Sequence, residues 1–233
     1  MRVERATSGG LIVTCRYCGD RHALLAQAAC PACGVVDESD VQYFAHVAQG
    51  RRASAEGIHL RPPTLADMQR AREWRNHPDV RPGLRTPFML TSEQQEWWYR
   101  EVVCDRRAPS RWWAVYDGEE HVGVTGLEGI QWENRLAEIS LLIDPARAGQ
   151  GYGRQAVRLV LEEAFERMGL LTVTGECYES NPVGIAFWRR VVEEYGGEVT
   201  TLPRRKWWSG RLWDAMWFTL TAEAWGERRK GAA

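Results

Sequence analysis

Three glycines at alternating positions, Gly149, Gly151 and Gly153, lie where an apolar run ends and a helical pattern begins. Glycine loses more conformational entropy on folding than any other residue, so a cluster at such a junction indicates that something approaches the main chain closely. Consecutive backbone N–H groups at the start of a helix attract anions, and phosphate is the leading ligand for them. The segment "DPARAGQGYGRQAV" therefore predicts a phosphate-binding loop between a strand and a helix.

Two other classes of phosphate-binding loop fit the surrounding sequence less well. A nucleoside-triphosphate loop needs Gly-Lys-Ser/Thr, which residues 144–157 do not contain. A dinucleotide-binding loop would follow the first strand of a βαβ unit, whereas three strand-like runs that read as antiparallel precede this one. The dinucleotide class stays open as the weaker alternative.

Hydrophobic periodicity from Ile58 to Trp225 predicts a strand, two helices, three strands, a helix, a strand, a helix and two strands. Thr64 is the predicted N-cap of the first helix, and Thr91 or Ser92 that of the second. The segment "PRRKWWSGR" is predicted to be the loop between the last two strands. This order of strands and helices predicts the fold class α/β (α+β).

Four of the six cysteines form two Cys-x-x-Cys pairs, each followed by glycine: Cys15 with Cys18, and Cys30 with Cys33. Two such turns complete the tetrahedral thiolate shell of a structural zinc site, and residues 10–36 resemble a rubredoxin-like zinc ribbon. A pair of disulfides is the alternative, and His22 could replace one thiolate. We therefore predict a zinc ribbon at 1–45, a linker at 46–57, a larger domain at 58–226 and a C-terminal tail at 227–233.

Composition limits the location and the partners of the chain. The N-terminal "MRVERATSGG" is not followed by the apolar core of a signal peptide, and no apolar run is long enough to cross a bilayer. We expect a cytoplasmic location with reduced thiols and no membrane partner. The formal net charge of −1 argues against binding polyanions over the whole surface and leaves room for local basic patches.

The glycine loop together with "GECYESNPVGIAFWRR" makes the larger domain similar to the GCN5-related N-acetyltransferase (GNAT) family. The family loop pattern Q/R-x-x-G-x-G/A falls on residues 148–153, with Ala148 at the usually basic position and Arg147 one residue early. The resemblance implies a mixed, mostly antiparallel seven-stranded sheet with flanking helices, and acetyl-CoA as the co-substrate. The cofactor contacts that it implies are Leu142, Ile143, Arg147, Gly149, Gln150, Gly151, Tyr152, Gly153, Arg154 and Asn181.

The same resemblance supplies the candidate catalytic residues. Glu176 matches the general base of ribosomal-protein and N-terminal acetyltransferases, and Glu138 is a second carboxylate able to face the cleft. Trp188 stands where those enzymes carry a tyrosine acid, and an indole cannot serve as that proton donor. Tyr178 is the candidate acid, with Tyr152 and solvent as alternatives. The implied reaction is direct attack of a neutral amine on the thioester, without an acyl-enzyme.

Two segments are candidates for binding the acceptor. "EWRNHPDVR" resembles the first helix of ribosomal-protein and amino-sugar nucleotide acetyltransferases, although Arg-Asn can equally end a helix. The second segment is "PRRKWWSGR", residues 203–211, called here the basic-aromatic segment. Its cations interleaved with indoles suit an acceptor that joins phosphate to a flat ring, whereas a solvated turn is the plainer interpretation. The candidates are Trp74, Arg75, Asn76, Arg204, Arg205, Lys206, Trp207 and Trp208.

The leading functional prediction is therefore acetyl-CoA-dependent acetylation of a primary amine on a nucleotide-linked or nucleic-acid acceptor, such as an amino-sugar nucleotide or an amine-modified DNA base. The zinc ribbon and the basic-aromatic segment would contact a nucleic acid. A protein N-terminal or lysine acetyltransferase is one alternative. A non-catalytic module that binds CoA or a partner through zinc is another.

Overall fold

The computed structural model describes residues 57–231 and, before them, three short strands. These are β1 (Arg2–Arg5), β2 (Leu11–Thr14) and β3 (Arg21–Ala23), which form an antiparallel sheet in the order β1-β2-β3. The four cysteines predicted to bind zinc lie outside the described residues, as do residues 46–56 of the predicted linker.

The larger of two compact units covers residues 53–145 and 151–233 and contains a seven-stranded sheet. The strand order is β4-β5-β6-β7-β8-β10-β9, and every neighbouring pair is antiparallel except β7 and β8. The predicted mixed, mostly antiparallel sheet is confirmed. The strands are β4 (Ile58–Arg61), β5 (Arg111–Asp117), β6 (Glu120–Gln131), β7 (Leu136–Ile143), β8 (Thr172–Tyr178), β9 (Glu198–Trp208) and β10 (Arg211–Thr221).

In the described residues five helices flank this sheet; the first four lie at the predicted places in the chain, and the fifth follows the last strand, where no helix was predicted. They are α1 (Leu65–Asn76), α2 (Ser92–Trp98), α3 (Tyr152–Glu162), α4 (Pro182–Tyr195) and α5 (Ala222–Gly231). Short helical turns occupy Arg81–Gly83, Tyr99–Val103, Pro145–Arg147 and Glu163–Arg167. None of the described helices is long and apolar enough to cross a membrane.

Local sequence signals explain where the first two helices begin. The Thr64 side chain accepts a hydrogen bond from the Asp67 amide, and the Asp67 carboxylate accepts one from the Thr64 amide at 2.8 Å. Thr91 and Gln94 form the same reciprocal box at the start of α2. Such boxes satisfy amides that have no partner inside the helix, so both predicted N-caps are confirmed.

The core lies between the sheet and the helices packed on it. In α3, Ala156, Val157, Val160 and Leu161 are fully buried and recur at the spacing of one helix face. Burying one such aliphatic side chain stabilises the fold by about 1.5–3 kcal/mol. This packing fixes the start of α3 at the edge where β7 ends.

The only parallel pair of the described sheet opens into a cleft. Register pairs between β7 and β8 run from Leu136–Thr172 to Glu138–Thr174, and no further pair follows within the described strands. Because β8 remains paired to β10 as far as Tyr178, β7 and β8 separate beyond Glu138. Side chains at this point on both strands border the opening.

The predicted loop over residues 203–211 is wrong. β9 continues through this segment to Trp208, and the turn consists of Ser209 and Gly210, with φ of 52° and 79°. Two residues with positive φ make the tight turn that suits the twist of a hairpin. Arg204 forms a bulge in β9 directly after Pro203. Its φ is 56°, and its amide donates to Asp214 Oδ1 at 2.9 Å, next to a register shift in β10. This bulge allows β9 to continue past the proline.

Candidate active site

Two carboxylates and a tyrosine hydroxyl meet where β7 and β8 separate. Glu176 and Tyr178 are two residues apart on β8, so their side chains share one face of the sheet. The Tyr178 hydroxyl donates to Glu176 Oε2 at 2.8 Å, and the Glu176 side chain is 3% exposed. Glu138 lies on β7 at the last register pair before the strands part. The three candidate catalytic residues are therefore together.

Arg85 joins these groups, and the sequence analysis did not identify it. Its Nη2 lies 3.1 Å from Glu176 Oε2 and also contacts Glu138 Oε1, while its Nε donates to the Tyr178 hydroxyl at 3.3 Å. One guanidinium thus spans both strands at the mouth of the cleft. A single arginine in a loop between two helices carries no sequence signal that could have revealed this contact.

The ionisation of Glu176 depends on its cationic neighbours. Burial alone would raise the pKa of this carboxyl, but hydrogen bonds from Arg205 and Tyr178 and the charge of Arg85 outweigh burial and lower it. Arg205 Nε donates to Glu176 Oε1 at 2.9 Å. Glu176 is consequently an ionised carboxylate at neutral pH, able to accept a proton once its present donors release it.

The pKa of Tyr178 shifts in the opposite direction to that of Glu176. Burial is the largest cause that raises the pKa of its hydroxyl, and the hydrogen bond to Glu176 raises it further. The phenol therefore keeps its proton at neutral pH. A protonated phenol and an ionised carboxylate in direct contact can serve as acid and base for one reaction.

The loop between α1 and α2 carries Arg85, and the predicted acceptor residues of α1 hold that loop. Asn76 exchanges two hydrogen bonds of 2.8 Å with the backbone of Leu90, and Arg75 Nη2 donates to the Thr86 carbonyl at 3.2 Å. Trp74 is 8% exposed, with its ring 4.9 Å from that of His121. These side chains fix the loop or the core.

Lys206 holds the other end of the same loop. Its Nζ contacts the Pro82 carbonyl, which also accepts from Ser180 Oγ at 2.7 Å. The ammonium lies 4.9 Å from the centroid of the Tyr178 ring. Lys206 is 5% exposed, and burial lowers the pKa of its ammonium. A buried cation thus links β9 to the turn that precedes Arg85.

The remaining residues of the basic-aromatic segment point to different surroundings. Arg204 is exposed, and Trp207 is 66% exposed. The Trp208 carbonyl accepts from the Trp213 indole at 3.0 Å, and its ring lies under the cations of Lys206 and Arg81. The segment is therefore divided between groups bound within the chain and groups that face solvent.

The start of α3 has the geometry expected of an anion-binding helix end. Gly151, its N-cap, has a φ of 91°, and a Cβ added there would meet no described atom within 4 Å. At Gly153 a Cβ would lie 3.2 Å from the Phe187 ring, so glycine allows α3 to approach α4 closely. Open space in front of Gly151 fits a phosphate at the first amides of α3.

The side chains near this helix end are committed within the chain. Tyr152 is buried and its hydroxyl donates to Asp117 Oδ2 at 2.8 Å, which removes it from the catalytic face. Arg154 pairs with Glu194 at 2.7 Å. Backbone amides are therefore what Tyr152 and Arg154 can offer a ligand.

The residues just before α3 continue from the end of β7. Gly149 has a φ of 74°, Gln150 Nε2 donates to the Ala146 carbonyl at 3.3 Å, and Arg147 ends a short helical turn. Leu142 and Ile143 pair with Val124 and Gly123 of β6, beyond the point where β7 leaves β8.

Asn181 and Trp188 complete the predicted set. Asn181 caps α4, and its Oδ1 accepts from the Gly184 amide at 2.9 Å. The Trp188 ring stacks on Phe218 with centroids 4.6 Å apart and packs against the core. A tryptophan in this position supports the sheet and has no part in proton transfer.

Glu128 is a third carboxylate that the sequence analysis missed. It lies on β6 directly opposite Glu138, and side chains of opposite residues share one face. Burial is the main cause that raises the pKa of the Glu128 carboxyl, and the charge of Glu138 raises it further. Strand periodicity predicts which face each glutamate occupies, but only the register shows that the two are neighbours.

Comparison with known proteins identifies the family and the fold. The Acetyltransferase (GNAT) domain family matches residues 58–196. No curated protein matches the chain. Among solved structures, spermidine N-acetyltransferase from Vibrio cholerae in complex with CoA and spermine has a TM-score of 0.64 at 20% identity, over 72% of this chain and 97% of that one.

Two further structures share the fold at similar distance. Spermidine/spermine N-acetyltransferase from Vibrio cholerae in complex with manganese ions has a TM-score of 0.59 at 18% identity, over 73% of this chain and 96% of that one. A putative acetyltransferase has a TM-score of 0.59 at 20% identity, over 77% and 90%. The family match covers more than half of the chain, so this chain belongs to the GNAT acetyltransferase family and is an acetyl-CoA-dependent N-acetyltransferase of that type.

Proposed function

We propose that the chain transfers the acetyl group of acetyl-CoA to a primary amine bound at the position that the Arg85 guanidinium occupies. The observation that carries this proposal is the pair of carboxylates, Glu138 and Glu176, which hold one cation between two diverging strands. A site that stabilises a guanidinium in this way can also stabilise a substrate ammonium. The acceptor amine would replace Arg85, whose side chain is 53% exposed and belongs to a loop.

The donor would bind along the opening between β7 and β8. The first amides of α3, from Gly151 to Arg154, are the proposed contacts of its diphosphate. Arg147, Gly149 and Gln150 precede this helix directly in sequence and are kept as predicted contacts. Backbone groups of Leu142 and Ile143 would hold the thioester, and Asn181 would lie beside the CoA arm. The Vibrio cholerae enzyme in complex with CoA supports a CoA thioester as the donor.

The proposed chemistry uses one carboxylate and one phenol. Glu176 takes a proton from the bound ammonium, and the neutral amine attacks the thioester carbonyl. The new C–N bond forms, and the C–S bond breaks as the tetrahedral intermediate collapses. Tyr178 gives its proton to the departing thiolate and takes back the second proton of the amine nitrogen, while Glu176 releases the first proton to solvent. Glu138 holds the acceptor in place.

We infer a cationic acceptor of the polyamine class. Three carboxylates, Glu128, Glu138 and Glu176, lie on one face of adjacent strands, an arrangement that suits an acceptor with more than one positive charge. The likeness to spermidine N-acetyltransferases supports this class as well. The acceptor would compete with Arg85 for these carboxylates.

A nucleotide-linked or nucleic-acid amine is the second candidate. Its support is the exposure of Arg204 and Trp207 on β9, which could contact a phosphate and a base. Against it, Arg205 and Lys206 already bind Glu176 and the Pro82 carbonyl.

The zinc ribbon remains part of the proposal. Cys15, Cys18, Cys30 and Cys33 would hold one structural zinc ion, which needs thiolates and therefore a reducing compartment such as the cytoplasm. Measurement of one equivalent of zinc per chain, and its loss in Cys15→Ser with Cys30→Ser, tests this assignment. Acceptor screening of the metal-loaded full chain would show whether nucleic acid is also a partner.

The test of the function is an acceptor panel with thiol release as the readout. The panel contains spermidine, an amino-sugar nucleotide, an amine-modified DNA oligonucleotide and a peptide. We expect turnover with spermidine and little with the other three. Turnover only with the nucleotide or the DNA would replace the first candidate by the second, and no turnover with any amine would overturn the proposal.

A further inference from the structure

A cavity lies beside the candidate active site. Its volume is about 480 Å³, and it lies between the segment that follows α2 and the end of β6. The polar side chains that line it are Glu101, Asp105, Arg107, Ser110, Trp112 and Glu128. The proposed proton transfers and the family motifs use none of these side chains.

Two buried polar groups in the cavity wall have no partner within the described residues. Ser110 is 8% exposed, and its hydroxyl makes no hydrogen bond there. The indole nitrogen of Trp112 is also buried without an acceptor. Buried polar groups are nearly always paired, because leaving one unpaired forfeits its hydration. The unpaired hydroxyl of Ser110 therefore indicates a ligand.

The charge of the cavity favours a cation. Asp105 pairs with Arg107 at 3.3 Å, whereas no ion pair within 4.0 Å is found for Glu101 or Glu128 among residues 57–229. A metal ion is a poor candidate, because these residues contain no group of three or more His, Cys, Asp or Glu side chains that could hold one. An organic ammonium needs only one or two carboxylates and a hydroxyl.

Glu128 connects the cavity to the reaction site. It is the cross-strand partner of Glu138, so the two Cβ atoms are about 5 Å apart on the same face. Glu138 in turn contacts Arg85, which marks the proposed position of the acceptor amine. A linear molecule with one amine at that position can extend past Glu128 into the cavity.

We propose that the cavity lined by Glu101, Ser110, Trp112 and Glu128 binds a second cationic group of the acceptor, whose first amine is acetylated at Glu176. This inference rests on the proposed function, since it assigns the far end of the same substrate. The ligand class is a linear diamine or polyamine. Glu101 supplies a carboxylate, and the oxygens of Glu128 and Ser110 Oγ accept ammonium hydrogens.

The test compares two acceptors of equal length, hexane-1,6-diamine and 6-aminohexan-1-ol, in acetyl-CoA turnover by the full chain. We expect kcat/KM to be higher for the diamine by about tenfold, the equivalent of one charge-assisted contact. Glu101→Gln and Ser110→Ala should each lower this preference severalfold. The control is Glu96→Gln, which removes a half-exposed carboxylate of α2 outside the cavity and should leave the preference as it is.

Equal preferences in the wild type and in both cavity variants would overturn the inference. If neither acceptor is acetylated, the proposed function fails, and the cavity is then tested by calorimetry with hexane-1,6-diamine. Binding that weakens in Glu101→Gln but persists in Glu96→Gln would support the cavity assignment alone. Absent or unchanged binding would refute it. Thermal unfolding of each variant shows that the fold is intact.

Discussion

The guanidinium of Arg85 lies 3.1 Å from the Glu176 carboxylate, although the two residues are 91 positions apart in the chain. The same guanidinium contacts Glu138 on the neighbouring strand. Because β7 and β8 separate at this level, Arg85 closes the cleft with a positive charge. An acceptor amine must either take the place of the Arg85 guanidinium or bind beside it. The two cases predict opposite changes in KM when Arg85 is replaced.

The first prediction concerns Arg85→Gln. If a cationic acceptor displaces Arg85, removal of the guanidinium should lower KM for spermidine severalfold, because the carboxylates no longer bind an internal cation. Steady-state kinetics at fixed acetyl-CoA measure this change. Arg106→Gln, at an exposed position after α2, is the control. A rise in KM for spermidine would contradict displacement and would favour an acceptor whose own anion binds Arg85.

The second prediction concerns the general base. Glu176→Gln keeps the shape of the side chain and removes its proton-accepting charge, so kcat should fall about 10²- to 10⁴-fold. The dissociation constant of acetyl-CoA should change little, because Glu176 is not among the proposed donor contacts. Turnover and calorimetry measure the two quantities. Glu179→Gln, an exposed neighbour, should behave as the wild type. Near-normal turnover in Glu176→Gln would exclude this base.

The local chemistry of the fold was predictable, whereas contacts across the chain were not. Thr64 and Thr91 were predictable as N-caps because the capping box lies within four residues. Glu176 and Tyr178 share a face because strands alternate with a period of two. Nothing local places Arg85 against Glu176, since that contact depends on how the loop after α1 returns to the sheet.

Strand register and irregularity account for the other differences. Glu128 and Glu138 become neighbours only through the register of β6 against β7. The extension of β9 through residues 204–208 depends on a bulge at Arg204 that Asp214 supports across the hairpin. A proline followed by charges is typical of a loop, so the sequence favoured a loop there.

The third prediction is a pH dependence. The hydrogen bond and charge of Arg205 lower the pKa of Glu176, so Arg205→Gln should raise that pKa. A base must be ionised to act, and the acidic limb of the kcat/KM profile should therefore move to higher pH. Because the pKa of Glu176 is lower in the folded chain than in the unfolded chain, Glu176 stabilises the fold at pH values above its unfolded pKa. This contribution is lost as the pH falls through its folded pKa. The free energy of unfolding of Arg205→Gln should therefore fall less than that of the wild type as the pH is lowered through this range.

The measurements for Arg205→Gln are a pH–rate profile and unfolding at several pH values. Arg211→Gln, which removes an exposed cation near the same hairpin turn, is the matched control. An acidic limb that stays in place in Arg205→Gln would show that another group controls it.

The fourth prediction concerns Lys206 as a positioning residue. Lys206→Met keeps the length of the buried side chain but removes the ammonium that holds the Pro82 carbonyl. The loop that carries Arg85 should loosen, and kcat/KM should fall about tenfold while acetyl-CoA affinity stays the same. Ser180 still donates to Pro82, so the loss of unfolding free energy should be small. Arg204→Met on the same strand is the control, and full activity in Lys206→Met would refute the role.

The last prediction concerns packing under the cleft. Gly175 lies in β8 beside Glu176, and a Cβ there would overlap the ring of Phe218, which is 1% exposed and stacked on Trp188. The ring cannot move aside without disturbing that stack, so Gly175→Ala should lower the free energy of unfolding by about 1–3 kcal/mol. Gly226→Ala, in α5 with open space around it, should instead raise it by about 0.5–1 kcal/mol because alanine has less backbone freedom to lose. Chemical denaturation measures both changes. Equal effects of the two substitutions would show that contact with Phe218 does not determine the residue at position 175.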